Sequence, residues 1–191
     1  MKLYLASRSP RRRELLDQIG VKYECLDVEI NEDWNGEETA RDYVARLAQG
    51  KAQTGLLQLK DRQDCVVLAA DTSVVLDDII LGKATTKDEA MEMLSNLSGR
   101  CHHVYTGLAL AGQEQEKVCV NLNRVYFRHL TPEECQQYCA TGEPLGKAGG
   151  YAVQGLGTIF IERIEGSYSG VMGLPLFETA ELLRAAGVKI I

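Results

Sequence analysis

The 191-residue chain predicts a mixed α/β sheet protein, and three observations carry that expectation. Apolar runs of strand length alternate with amphipathic helical stretches through the first part of the chain, as in α/β units. In the middle, two long strand-like segments follow one another, "HHVYTGLALAG" and "KVCVNLNRVYFRHL", with only the polar "QEQE" between them, the pattern of an antiparallel pair. A composition of 45% hydrophobic and 25% charged residues is that of a globular protein able to bury a core. The length suits one domain, or one domain with a smaller lobe.

Each element has a local reason. "KLYLA" is a short buried strand, and "PRRRELLDQIG" a helix with Leu15, Leu16 and Ile19 on one face and Gly20 as its stop. Ser9 is placed to cap that helix, with Pro10 at its first position. "KYECLDV" is a second strand. "EETARDYVARLAQGKAQTGLLQL" is a long helix whose apolar stripe runs through Ala40, Tyr43, Val44, Leu47 and Ala48. "CVVLAAD" reads as a strand covered on both faces, ending at Asp71. "SVVLDDIIL" reads as a hairpin turning at Asp77-Asp78. "TKDEAMEMLSNLSG" is a helix, and after the two long strands "TPEECQQYCATG" is another, capped by Thr131 with Pro132 at its first position. A glycine-rich stretch, "GEPLGKAGGYAVQGLGT", leads into a strand, "IFIERI", and the helix "PLFETAELLRAAG" follows.

Charge and composition exclude several classes. A net charge of −6 argues against general affinity for nucleic acid or anionic membrane. The sequence contains no apolar run long enough for a membrane span. "MKLYLASRSP" is too short and too soon interrupted by Arg8 for a secretory signal. The six cysteines read as reduced, buried residues of a cytoplasmic protein. Cys135 and Cys139 with "CHH" at 101–103 form no CxxC pattern, so zinc is disfavoured.

Against that acidic background, "LASRSPRRRELL" gathers Arg8, Arg11, Arg12 and Arg13. Arg11, Arg12 and Arg13 fill the first turn of a helix, where cations are unfavourable by about 0.3–1 kcal/mol each. Glu14 and Asp17 offset this only in part. Solvated surface arginines are the bland explanation, and three adjacent residues cannot all face one way. The concentration is better explained by an anion at the helix end. Backbone N–H groups, the helix dipole and forked guanidinium groups all favour phosphate there. The preceding strand-to-turn segment is also where α/β proteins bind ligands.

"LASRSPRRRELL" closely resembles the signature of the Maf-like nucleotide pyrophosphatases. The likeness continues through "RLAQGKA", "AADTSVVLDDIILGK", "LSGRCHHVYTGLAL", "GEPLGKAGGYAVQGLG" and "GSYSGVMGLPLFET", several blocks in order along nearly the whole chain. The resemblance implies a single domain over 1–191, an elongated mixed β-sheet flanked by helices like that of the inosine triphosphate pyrophosphatases, with two lobes around a central cleft as one form of it. It implies a cytoplasmic enzyme, dependent on Mg²⁺ or Mn²⁺, that hydrolyses nucleoside triphosphates to the monophosphate and pyrophosphate. It implies a homodimer, with no nucleic-acid or membrane partner.

The resemblance also distributes roles. Asp71 takes the catalytic carboxylate, able to hold a divalent cation or accept a proton from water; position alone would equally suit a turn-initiating Asp. Glu32 aligns with a second acidic position, completing a pair suited to a hard, oxygen-liking cation. Glu29 and Asp33 lie close by and could substitute for it. Arg12, Lys51 and Lys83 align with phosphate-binding positions, and Ser7 could offer its hydroxyl or N–H to a phosphate or merely end a strand. Lys51 falls on the apolar stripe four residues after Leu47, so it either snorkels or meets a partner. Arg11, Thr72 and Gln154 align with positions tied to choice of base; Lys147, just before the Gly149-Gly150 pair, is a candidate for touching the nucleotide. The glycines around Gln154 would let backbone approach a ligand closely. Gly150 stands where relatives often carry Ala, which touches nothing catalytic.

The expected reaction is therefore hydrolysis of dTTP and UTP, in a house-cleaning or regulatory role. The methylguanosine-preferring branch, as the resemblance implies, has a "Ser-Asp-Gln"-like block where this chain has "ADT", Ala70 to Thr72. The rivals are the same chemistry on a modified purine such as 7-methyl-GTP, and a nucleotide-binding regulator of cell division whose hydrolysis is incidental. A pure binder needs Arg12 but has no use for acids at both 32 and 71.

Overall fold

In a computed structural model that describes residues 1–190, the strands follow the order β2-β1-β3-β5-β6-β7, with β4 beside β3. β1 (Lys2–Ala6) is parallel to both β2 (Tyr23–Leu26) and β3 (Cys65–Leu76). β4 (Ile79–Leu81) is antiparallel to β3, and β6 (Glu116–Phe127) is antiparallel to β7 (Ile161–Glu165). β5 is Cys101–Gly112. The mixed sheet is the predicted fold class. Helices α1 (Pro10–Gln18), α2 (Ala40–Gln58), α3 (Lys87–Leu97), α4 (Pro132–Ala140), α5 (Tyr168–Met172) and α6 (Leu176–Ala185) intervene. No helix among the described residues is long and apolar enough to cross a membrane.

The chain divides into two compact units, passing from one to the other inside β3, β5 and β6 and again after α5. The first comprises residues 1–71, 106–121 and those from Gly173 on. Its core is built of small side chains, including Ala6, Ala48, Ala52, Ala69, Ala109 and Ala111 around Tyr4 and Val67. Small residues let α2 lie close against the strands. At Gly107 of β5 an added Cβ would stand 2.2 Å from the backbone oxygen of Val44 in α2. The second unit comprises residues 72–105 and 122–172. Its core is larger-grained: Leu94 and Leu97 of α3, Val104, Val125, Phe127, Tyr138, Tyr151 and Phe160.

Several expectations hold at the level of single residues. Asp77 and Asp78 both take positive φ, 50° and 63°, the conformation a two-residue hairpin turn requires. Thr131 caps α4 in a full capping box with Glu134. Val44, Leu47 and Ala48 of the α2 stripe are buried.

Other expectations need correction. β3 does not end at Asp71; it continues to Leu76, because Asp71 and Ser73 are both buried and the ladder to β4 begins at Val74. Ser9 occupies the N-cap position of α1 but its side chain makes no capping bond; instead its N–H donates to Ser7 Oγ at 3.1 Å. α2 begins at Ala40 rather than Glu37, since Thr39 caps it by accepting from the Asp42 N–H. Ile159 and Phe160 close a 3-10 turn, Leu156–Phe160, instead of starting β7. Cys65, Cys135 and Cys139 are buried as expected, whereas Cys25 and Cys101 are exposed.

Candidate active site

The first unit assembles five of the expected residues from five places along the chain. Ser7 follows β1, Arg12 lies in the first turn of α1, Lys51 is on α2 and Asp71 is on β3. Glu32 comes from the irregular segment before α2. Two side chains of α2 fix that segment. The Tyr43 hydroxyl donates to the Glu32 carbonyl at 2.7 Å, and Arg46 Nη2 donates to the Asp33 carbonyl at 3.1 Å while its Nε binds Glu38 at 2.9 Å. Neither Tyr43 nor Arg46 stood out in the sequence as functional. The available signal was a phenol on an apolar stripe, where its hydroxyl needs a partner.

Lys51 is the centre of the arrangement. Its ammonium lies 2.8 Å from Asp71 Oδ1 and 2.6 Å from Glu32 Oε1. The Lys51 and Asp71 side chains are only 13% and 12% exposed, so this cation meets partners rather than snorkelling. Burying it without them would cost several kcal/mol. Of the three neighbouring acids, Glu32 is therefore the one joined to Asp71. Glu29 is turned to Arg8 Nη2 at 2.7 Å.

The arginine cluster separates by direction. Arg12 turns inward: its Nε donates to the Gly173 carbonyl at 2.8 Å and its Nη1 to Ser7 Oγ at 3.3 Å. Burial lowers the Arg12 pKa, the nearby charges of Asp71 and Glu32 raise it, and Arg11 lowers it. The guanidinium nevertheless stays protonated, because its intrinsic pKa is so high. Arg11 is partly buried, and burial lowers its pKa against the pull of Glu14. Arg13 is exposed, with Nη2 3.5 Å from the Arg8 carbonyl. Arg8 is exposed and held by Asp27 and Glu29. One cluster in the sequence thus supplies a single arginine that shares its electrostatic environment with the two carboxylates.

The remaining predicted residues belong to the second unit. Thr72 follows Asp71 on β3 and is half-buried. Lys83 is exposed, in an isolated antiparallel bridge with Ala148. Gln154 is exposed on a tight turn that follows the buried Tyr151, Ala152 and Val153. Lys147 lies near the Leu145 carbonyl, its Nζ 3.5 Å away.

The donor set can be tested against a divalent cation. No group of three or more His, Cys, Asp or Glu able to hold a metal exists among the described residues, so an all-protein cage is not formed. Two carboxylates on one ammonium suit a different kind of site. Mg²⁺ and its like bind through one or two carboxylates and take their other ligands from substrate phosphates and water. Asp71 and Glu32 fit that requirement.

The Maf-like protein family model matches residues 2–186. The dTTP/UTP pyrophosphatase of Methylobacillus flagellatus is 52% identical over 189 residues, covering 99% of this chain and 94% of that protein. The dTTP/UTP pyrophosphatase of Bordetella parapertussis is 49% identical over 195 residues, covering 99% and 94%. The structure of the Staphylococcus aureus Ham1 protein is similar at a TM-score of 0.43 and 13% identity, over 66% of this chain and 72% of that one. Half-identical relatives along almost the full length, and a family match that takes in β1 through α6, make this chain a member of the Maf-like protein family.

Proposed function

We propose that the chain hydrolyses nucleoside triphosphates, dTTP and UTP foremost, to the nucleoside monophosphate and pyrophosphate. The observation that carries this reading is the Lys51 ammonium shared by Asp71 and Glu32, in a chain whose relatives are named dTTP/UTP pyrophosphatase. In the proposed reaction water attacks, in line, a phosphorus of the bridge between the α and β phosphates. The water–phosphorus bond forms, the bond from that phosphorus to the bridging oxygen breaks, and the monophosphate and pyrophosphate separate. Asp71 accepts the proton of the attacking water. Arg12, Lys51 and Lys83, with the Ser7 hydroxyl, hold phosphate oxygens and offset the charge that gathers there. A divalent cation, Mg²⁺ or Mn²⁺, held by Asp71 and Glu32 would supply Lewis-acid polarisation. Arg11, Thr72 and Gln154 choose the base. The Gln154 amide offers a donor beside an acceptor, matching the N3–H and flanking oxygens of uracil and thymine. Cytosine presents the reverse pattern and a glutamine can flip, so Thr72 or a backbone group fixes its orientation. We further propose that the protein works in the cytoplasm as a homodimer, in a house-cleaning or regulatory capacity.

The test is a panel of dTTP, UTP, CTP, GTP and 7-methyl-GTP with Mg²⁺ or Mn²⁺, resolving pyrophosphate from orthophosphate. Pyrophosphate release with dTTP and UTP leading in kcat/KM is expected. Orthophosphate as first product would refute the reaction. A lead for 7-methyl-GTP would refute the base choice alone.

A further inference from the structure

Gln154 is exposed, yet the backbone on either side of it is tied down by two side chains of the same unit. Glu143 lies just beyond α4. Its Oε2 accepts the Leu156 N–H at 2.9 Å, and its Oε1 accepts the Gly157 N–H at 3.1 Å and the Tyr138 hydroxyl at 2.7 Å. Tyr138 is on α4, 4% exposed, and its oxygen accepts the Ala152 N–H at 3.1 Å. One carboxylate and one phenol therefore take the N–H groups at 152, 156 and 157, bracketing Gln154. Glu143 is itself oriented, its N–H donating to Thr141 Oγ1 at 3.1 Å, and that hydroxyl donating to the Tyr138 carbonyl at 2.6 Å.

The neighbouring glycines serve this clamp. A Cβ on residue 155 would stand 2.3 Å from Glu143 Oε2, and one on residue 157 would stand 2.8 Å from the Tyr138 oxygen. Burial raises the Glu143 pKa, but the hydrogen bonds from Leu156, Tyr138 and Gly157 outweigh it and the net shift is downward. The group is thus a carboxylate at neutral pH, and its bonds are charge-assisted and strong. Of the three N–H groups only that of Leu156 lies at an exposed position and could have been left to water, whereas Ala152 and Gly157 are buried and need a partner within the protein. Fixing them with a carboxylate makes sense where the exposed side chain must point in one direction, because selective sites need preorganised donors and acceptors.

We propose that Glu143 and Tyr138 are positioning residues for base choice, holding 152–157 so that the Gln154 amide meets the base in one orientation. This rests on the assignment of Gln154 to base choice made above. Glu143→Gln keeps the shape but puts an NH₂ donor where the carboxylate had only acceptors. Tyr138→Phe removes one hydroxyl and keeps the ring edge-on to Phe160. The experiment measures kcat/KM for dTTP, UTP, CTP and GTP, with melting temperatures, for the parent, both variants, Gln154→Ala and the Glu143→Gln/Gln154→Ala double variant. Both positioning variants are expected to cut the dTTP-over-GTP ratio by about 10- to 100-fold, the scale of a small misplacement. In the Gln154→Ala background Glu143→Gln should change the ratio little further. Equal losses on all four substrates, persisting without Gln154, would make the clamp merely structural and overturn the proposal, as would failure of both single variants to fold. If Gln154→Ala itself leaves the ratio intact, the base-choice assignment falls and the proposal with it. If Gln154→Ala collapses the ratio while the two clamp variants do not, only the positioning role falls.

Discussion

Replacing Asp71 with Asn separates its chemistry from its place in the fold. The substitution keeps size and one acceptor oxygen and removes the charge. Loss of general-base help should lower turnover by at least about 10²-fold, equivalent to about 2.7 kcal/mol on the barrier. The cost to stability is bounded by the local geometry. Removing one member of a buried ion pair costs about 3–5 kcal/mol when the other is stranded. Lys51 is not stranded here, because Glu32 remains 2.6 Å from the same ammonium and the new amide oxygen can still accept from it. The loss should therefore be about 1–2 kcal/mol, the scale of a weakened bond to a charged group. For a chain of this length that lowers the melting temperature by about 2–8 °C. The assay is pyrophosphate release from saturating dTTP beside a thermal melt in the absence of metal. Turnover within tenfold of the parent, in a folded variant, would refute Asp71 as the base. A melting temperature far below the bounded range would refute the account of Lys51 as still partnered.

The arginine cluster predicts a contrast: Arg12→Ala should raise KM for triphosphate and lower kcat, whereas Arg13→Ala, at an exposed position, should change little. The reverse ranking in steady-state kinetics would contradict the inward turn of Arg12. Gly107→Ala places a Cβ 2.2 Å from the Val44 carbonyl oxygen, so overpacking should cost about 2 kcal/mol or more. An unchanged denaturation midpoint would mean β5 does not approach α2 so closely. His102 is fully buried against Tyr151, and burial, with a smaller push from His103, brings its pKa down to about 3. The unfolded chain takes up a proton there near pH 6.5 and the folded one does not, so stability is full above that pH. It should fall by up to about 1.4 kcal/mol per unit on acidification toward pH 3. Melts of His102→Gln and the parent at pH 7 and pH 5 check this: the variant should lack that share of the acid sensitivity, and equal slopes would refute it.

What could be read from the sequence was what depends on near neighbours. The hairpin at Asp77-Asp78 and the box around Thr131 were legible because turn and cap chemistry act over two to four residues. α5 was missed because one turn of helix is too short to show a 3.6-residue period. Its signal was a single cap, Ser167 Oγ accepting the Gly170 N–H at 3.1 Å. The end of β3 was misjudged because "DTS" looks like a break in an apolar run. Tertiary burial of Asp71 and Ser73 overrides that local appearance.

At the candidate site the informative residue was Lys51, and the reason is energetic. A lysine four residues beyond Leu47 on a buried stripe poses a choice between extending to water and finding an anion, and periodicity cannot decide between them. The packing decides it. With small residues lining α2 there is little apolar surface for a four-carbon stem to cross on its way to solvent, and Asp71 stands on the strand that α2 covers. The opposite case is the "VQGLG" stretch, whose glycines look in the sequence like room for a ligand. The room is taken by Glu143 and Tyr138 of the same unit, contacts spanning 13 and 14 residues that no local pattern encodes. A glycine near Gln154, the residue proposed to choose the base, is thus as consistent with support of that residue as with access to it. Gly155→Ala separates the two roles. If the glycine serves access, the added methyl should raise KM for every nucleotide. If it serves the clamp, the methyl displaces the Glu143 carboxylate and the loss should fall on discrimination, matching Glu143→Gln in size and direction.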